Sequence, residues 1–194
     1  MEIAKGISSK TYQELNLKDY SSSDWDSAID ILNRRLTERY IEPVEILLNA
    51  EKDKNAIEKK FGFTILAIDC LLIETLQSFY EGITDSKKLS KTLFRNFLQQ
   101  RISFKAFFTN DADADYFFSN YRCGILHQAQ TFNNSKVWTI GQLFIKQGNN
   151  VIINRDLFHE AVKNEKDIYI DLLHEKTDIK LLNNFKTKMD FISV

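Results

Sequence analysis

Proline occurs once in 194 residues and glycine six times, so few positions force a break and long helices are the default expectation. Cysteine occurs only twice, at Cys70 and Cys123, each inside an apolar helical pattern. That argues against a disulfide-stapled secreted module and for reduced thiols in the cytoplasm. The opening MEIAKGISSK lacks the apolar run of a signal peptide. The longest apolar stretch, ILAIDCLLI from Ile65 to Ile73, is interrupted by Asp69 and too short to cross a bilayer, so no membrane partner is expected. An excess of one charge sign is missing as well. A formal net charge of −1 exerts no global pull towards nucleic acid or anionic lipid, so any such partner must use a local patch. What remains is 43% hydrophobic and 27% charged residues, the balance of a folded domain with a substantial core.

Residues 1–22 are polar and Ser-rich at their end, which reads as a loose N-terminal arm. Ser23 is placed to cap a helix carrying Trp25, Ala28, Leu32, Leu36 and Tyr40 at helical spacing. Its other side, with Arg34, Arg35 and Arg39, reads as a solvated face. Pro43 interrupts or kinks that helix and opens a second segment that Gly62 ends. The following stretch, TILAIDCLLIETLQSFYEG, is apolar nearly all round, as a helix enclosed at the centre of a bundle must be. Its polar exceptions Glu74, Gln77, Ser78 and Glu81 share a narrow stripe, Asp69 lies off it as a hydrogen-bonding residue, and Gly82 supplies a stop.

SKKLSKTLFRNFLQQR then reads as a basic helix in which Lys87, Lys91 and Arg95 recur every fourth residue. Asp111, Asp113 and Asp115 miss the EF-hand pattern, since Tyr116 and Arg122 stand where glycine and glutamate are required. They read instead as cap and first-turn residues of a helix from about Ala112 to about Gln130. KVWTIGQLFIKQGNNVIIN, rich in β-branched and aromatic residues, predicts a hairpin turning at QGNN, near residues 136–153. Asn154 caps a further helix, and a last one begins near Thr177. His159 and His174 have no spacing that builds a metal site and read as surface residues. The whole is one mainly α domain over 23–194: an antiparallel helical bundle core at 23–131, then the hairpin and C-terminal helices at 132–194.

NYRCGILHQAQT, from Asn120 to Thr131, carries the chemistry. On an ideal helix Arg122 and His127 lie about 140° apart, flanking a stripe with Tyr116, Ser119, Asn120, Cys123, Leu126 and Gln130. Phe117, Phe118, Tyr121, Gly124 and Ile125 collect on the opposite side. The pair therefore faces a cleft or a partner. Gly124 invites close approach of another helix, the apolar one bearing Glu74, whose carboxylate would then orient Arg122 or His127.

An arginine, four residues and a histidine on a late helix of a helical bundle resembles the R-x4-6-H motif of the HEPN superfamily, in an uncharacterised bacterial branch. The resemblance covers roughly Ser23 to Thr131. It implies a metal-independent endoribonuclease of toxin or phage-defence type, without cofactor or metal. It would act as a homodimer with Arg122 and His127 at the two-fold, and with a cognate antitoxin as a possible further partner. Glu74, Ser119, Asn120 and Cys123 would support the pair; many active members hold a polar residue where Cys123 stands. Lys87, Lys91 and Arg95 would grip the RNA backbone. Two other readings stay open: a non-catalytic RNA- or nucleotide-binding module, and a dimeric scaffold in which the pair is structural.

Overall fold

The computed structural model describes all residues, 1–194. The chain is mainly helical with two small sheets. Helix α4, Gly62–Glu81, is enclosed by its neighbours: α5 (Ser90–Gln100), α8 (Arg155–Glu175) and α9 (Ile179–Ile192) pack along it. Its length and composition would also suit a membrane span, yet 56% of its most apolar window is buried inside the fold, as expected of a core helix. Gly82 ends it in the left-handed conformation, with φ +69°, where a Cβ would be strained.

The first 22 residues are not a loose arm. Strand β1 (Glu2–Ala4) pairs with β2 (Ile7–Ser8), and α1 (Ser9–Gln13) follows. Ile3 and Ala4 are fully buried. Helix α2, Asp24–Leu36, and the turn that follows it hold this segment with three arginines, of which Arg34 and Arg39 stay exposed as expected and Arg35 is half-buried. Arg34 donates to the carbonyl of Lys5, Arg35 to that of Ile3 and Arg39 to that of Glu2, at 2.8–3.0 Å. A strand pair too short to satisfy its own backbone borrows charged donors, so the composition of 1–22 was a poor guide.

Ser23 makes no side-chain cap; Ser22 Oγ instead accepts from the Asp24 amide at 3.1 Å. Pro43 does not break the chain of helices. A π-helical turn, Thr37–Ile41, joins α2 to α3, Glu42–Ala50, with Pro43 in the first turn of α3. Widening the turn ahead of the proline makes room for its ring and its missing N–H. Gly62 is the first residue of α4 rather than a stop, and a Cβ there would lie 3.0 Å from the Val137 side chain.

The QGNN hairpin forms as expected between β4 (Phe144–Gln147) and β5 (Asn150–Asn154), with Gln147 opposite Asn150. A third strand, β3 (Ser135–Trp138), runs parallel to β5, so the sheet order is β3-β5-β4. Asn154 caps α8, accepting from the amides of Asp156 and Leu157. Asp178 caps α9, on which Leu182, Phe185 and Met189 are buried.

Two buried charge contacts fasten α8. Arg155, at its start, pairs with Glu51, and both side chains are at most 2% exposed; Glu51 also accepts from the amides of Lys60 and Phe61. Removing one partner of such a pair strands the other in a dry interior, so Glu51→Ala should destabilise the fold by about 3–5 kcal/mol, measured by urea unfolding. The second contact corrects the expectation for His159, which is buried and holds Asp69 of α4 at 2.7 Å through Nδ1. His174 is exposed, beside Asp26.

Burial pushes the Asp69 carboxyl above its ordinary value, further than the His159 contact draws it down. A group raised in the fold contributes stability that is present below its unfolded value and is lost as pH climbs through the folded one. Wild-type stability should therefore fall relative to Asp69→Asn as pH rises from the ordinary carboxylate range. Unfolding curves at a series of pH values test this, and a difference rising with pH would refute it.

Candidate functional site

Asn110 caps α6, Asp111–Phe117, by accepting from the Asp113 amide at 3.0 Å. The aspartates of its first turn complement the helix dipole, as their spacing suggested. A π-helical turn, Phe118–Arg122, carries the chain without a break into α7, Cys123–Gln128, which closes at Ala129 in the left-handed conformation, φ +55°. The π turn inserts a residue and rotates all that follows.

The expected polar stripe is kept except at Asn120, which lies beside it. Ser119 remains exposed. Asn120 is buried, donating to the carbonyl of Tyr116 at 2.9 Å and accepting from Asn133 at 2.7 Å, so it braces the 129–134 loop rather than the site. Phe117, Tyr121, Gly124 and Ile125 are buried as their side of the helix required. Cys123 is a half-buried free thiol near Cys70. Burial pushes the Cys70 thiol well above its ordinary value, which removes it as a nucleophile.

Arg122 and His127 meet although their positions are not stacked. The long guanidinium arm spans the angle, and Nη1 lies 3.2 Å from His127 Nε2. Nη2 donates to Glu74 Oε2, also at 3.2 Å, while the guanidinium carbon lies 5.3 Å from the Phe118 ring centre. Arg122 Nε is buried without a partner. Because a guanidinium only donates, a hydrogen bond here has Nε2 as its acceptor. Glu74 Oε1 accepts from Ser90 Oγ at 2.8 Å, so the carboxylate ties α5 and the π turn to α4.

A groove of about 250 Å³ opens here, lined by Glu74, Ser78, Ser86, Arg122, Leu126 and Lys188 among others. His127 stands exposed beside it and does not line it. Lys188 of α9 was not anticipated from sequence, because nothing local connects it to a helix more than 60 positions earlier. Burial lowers its ammonium below the ordinary lysine value, against the pull of Asp85 and Glu74.

The three expected backbone-gripping cations do not form a free patch. Lys87 lies in the turn before α5 and is exposed. Lys91 contacts Asp115 at 3.0 Å, and Arg95 bridges Asp115 and Asp111 at 2.8 and 2.9 Å. Burial raises the Asp115 carboxyl, but Arg95 and Lys91 outweigh it and hold the group below its usual range. The acids that answer this basic helix lie on the next helix, a pairing visible only after folding. No group of three or more His, Cys, Asp or Glu side chains converges in metal-binding geometry.

Gly124 is approached not by another helix but by the chain's own turn. A Cβ there would lie 2.4 Å from the Gln130 carbonyl oxygen, and the Gln130 amide bonds back to the Gly124 carbonyl at 3.3 Å. Gly124→Ala should gain about 1 kcal/mol of helix propensity yet cost about 1–3 kcal/mol of overpacking. The clash is with backbone, so net destabilisation in urea unfolding is expected; a more stable variant would contradict it.

No family model, curated protein or solved structure matches the chain.

Proposed function

We propose that the chain is a HEPN-like, metal-independent endoribonuclease of toxin or phage-defence type, built on an antiparallel helical bundle. The observation that carries this reading is the guanidinium of Arg122 suspended between His127 Nε2 and Glu74, 3.2 Å from each, at the mouth of a groove. Cutting RNA without a metal requires removal of a proton from a 2′-hydroxyl, stabilisation of the extra charge on phosphorus, and protonation of the departing oxygen. His127, exposed, serves as the base once its Nε2 exchanges the Arg122 contact for the 2′-hydroxyl, taking that proton while Arg122 turns its donor to the phosphate. Arg122 offers planar donors to the phosphate oxygens. A second protomer supplies the acid, so the working species is a homodimer with the two histidines near its two-fold. Leu71 and Leu126, 42% and 44% exposed beside the groove, suit burial against another copy. The free thiols of Cys70 and Cys123 accord with a cytoplasmic setting, where a cognate antitoxin would be the natural partner.

One observation favours a second reading. The Arg122–Glu74 pair is less than one-fifth exposed on both sides, which suits a scaffold in which the arginine only fastens helices. Purified protein incubated with mixed RNA in chelator separates the two. Cleavage should persist in wild type and fall by about 10²–10⁴-fold in His127→Ala, while the variant's unfolding curve stays put. Cleavage by both proteins or by neither would remove the ribonuclease, and loss of stability alone in Arg122→Ala would then support the scaffold.

A further inference from the structure

The largest cleft lies elsewhere, at the N-terminal end of α4, about 18 Å along the helix axis from Glu74. Its volume is about 450 Å³, within the usual span of small-molecule sites. Ile57, Phe63, Val137, Trp138 and Ile140 form its apolar lining. Several of these face water to a degree that core residues do not: Ile57 is 94% exposed, Ile140 63%, Trp138 39% and Phe63 38%. A compact chain that leaves such side chains together around a concavity has a surface suited to being covered.

Charge decides what covers it. The charged residues of the lining are Lys59, Lys60 and Arg155, with no carboxylate among them. Arg155 is already balanced by Glu51 and Asp156 beneath the floor, whereas neither lysine forms an ion pair with any carboxylate of the chain. The start of α4 borders the same cleft, but the Glu51 carboxylate already accepts from the Lys60 and Phe61 amides there, so the unanswered positive field is that of the two lysines. An apolar ligand without charge would leave this potential unanswered, and a cation would be repelled.

We propose that this cleft binds a small amphipathic anion: a ring-sized apolar body against Phe63, Trp138 and Ile140, carrying one sulfonate-, carboxylate- or phosphate-type group between Lys59 and Lys60. The site is independent of Arg122 and His127, so its fate does not depend on the ribonuclease reading.

The test uses the full chain with 1-anilinonaphthalene-8-sulfonate, and with N-phenyl-1-naphthylamine, the same ring system without the anion. The sulfonate should bind saturably at one site per chain. Trp138 should report it by energy transfer to the probe, reduced in Trp138→Phe to what the buried Trp25 supplies. The double variant Lys59→Ala/Lys60→Ala should weaken the sulfonate by about fivefold to tenfold at low salt and leave the neutral probe unchanged. Ile140→Glu, at an exposed position, should abolish sulfonate binding. Thermal melts of each variant matching wild type exclude partial unfolding as the source of probe binding. Competition by indole-3-acetate rather than dodecanoate would identify a ring-bearing ligand, and by dodecanoate rather than indole-3-acetate would overturn that part of the proposal. Equal affinity for both probes, many weak sites per chain, or sulfonate binding indifferent to the lysine and Ile140 variants would overturn it entirely.

Discussion

Enclosing α4 is the constraint on which the other elements depend. A helix apolar on nearly every side has no face to give to water, so neighbours must close around it. Once enclosed, its few polar side chains need partners from those neighbours, and these partnerships help fix how each neighbour sits. Asp69 takes His159 of α8, and Glu74 takes Ser90 of α5 together with Arg122, while Ser78 is satisfied within α4 by the Glu74 carbonyl. The apolar surface supplies most of the driving force and is indifferent to register; the polar contacts are directional and are not. The candidate site is therefore a by-product of the same arrangement that orders the core.

The two π-helical turns show how a nearly proline-free chain changes direction without ending a helix. The first lies ahead of Pro43, and the second immediately precedes Cys123. The second carries Asn120, which lies beside the apolar face by helical spacing and is buried with it, and Arg122, which reaches both Glu74 and His127. Such a turn widens the backbone ring and weakens local bonding, so it persists where the surroundings compensate. Here the buried rings of Phe117 and Tyr121, stacked 5.2 Å apart, do so.

Most of the helical layout was legible because it follows from periodicity and punctuation: α4 with its Gly82 stop, α8 with its Asn154 cap, and the hairpin at QGNN. The failures share one cause. Composition says whether a residue tolerates water, not whether another part of the chain will meet it. The arm at 1–22 looked loose because the arginines that hold its carbonyls lie on α2 and the π turn after it. Lys91 and Arg95 looked like a free cationic face because Asp111 and Asp115 approach from α6. His159 looked like a surface residue because its partner, Asp69, is 90 positions away. Around the candidate site, Arg122, His127 and Glu74 came together as their types suggested, whereas Asn120 is taken by Asn133 of a later loop and Lys188 comes from a distant helix.

An electrostatic objection to phosphate binding at Arg122 is that Glu74 already neutralises it. Counting donors answers this. A guanidinium has five N–H groups in a plane; Nε is buried without a partner, one hydrogen of Nη1 faces His127, and one of Nη2 faces Glu74. One hydrogen on each terminal nitrogen is left, so the group keeps donors of the kind that bind phosphate oxygens. Glu74 and His127 thus hold the plane of the group without exhausting it, which spares an incoming anion the entropy of ordering a long side chain. The carboxylate reduces the net attraction for any anion and in return fixes the direction of the remaining donors. Under the ribonuclease proposal such donors would suit recognition of a phosphate in one orientation more than accumulation of charge, on a chain that as a whole is nearly neutral.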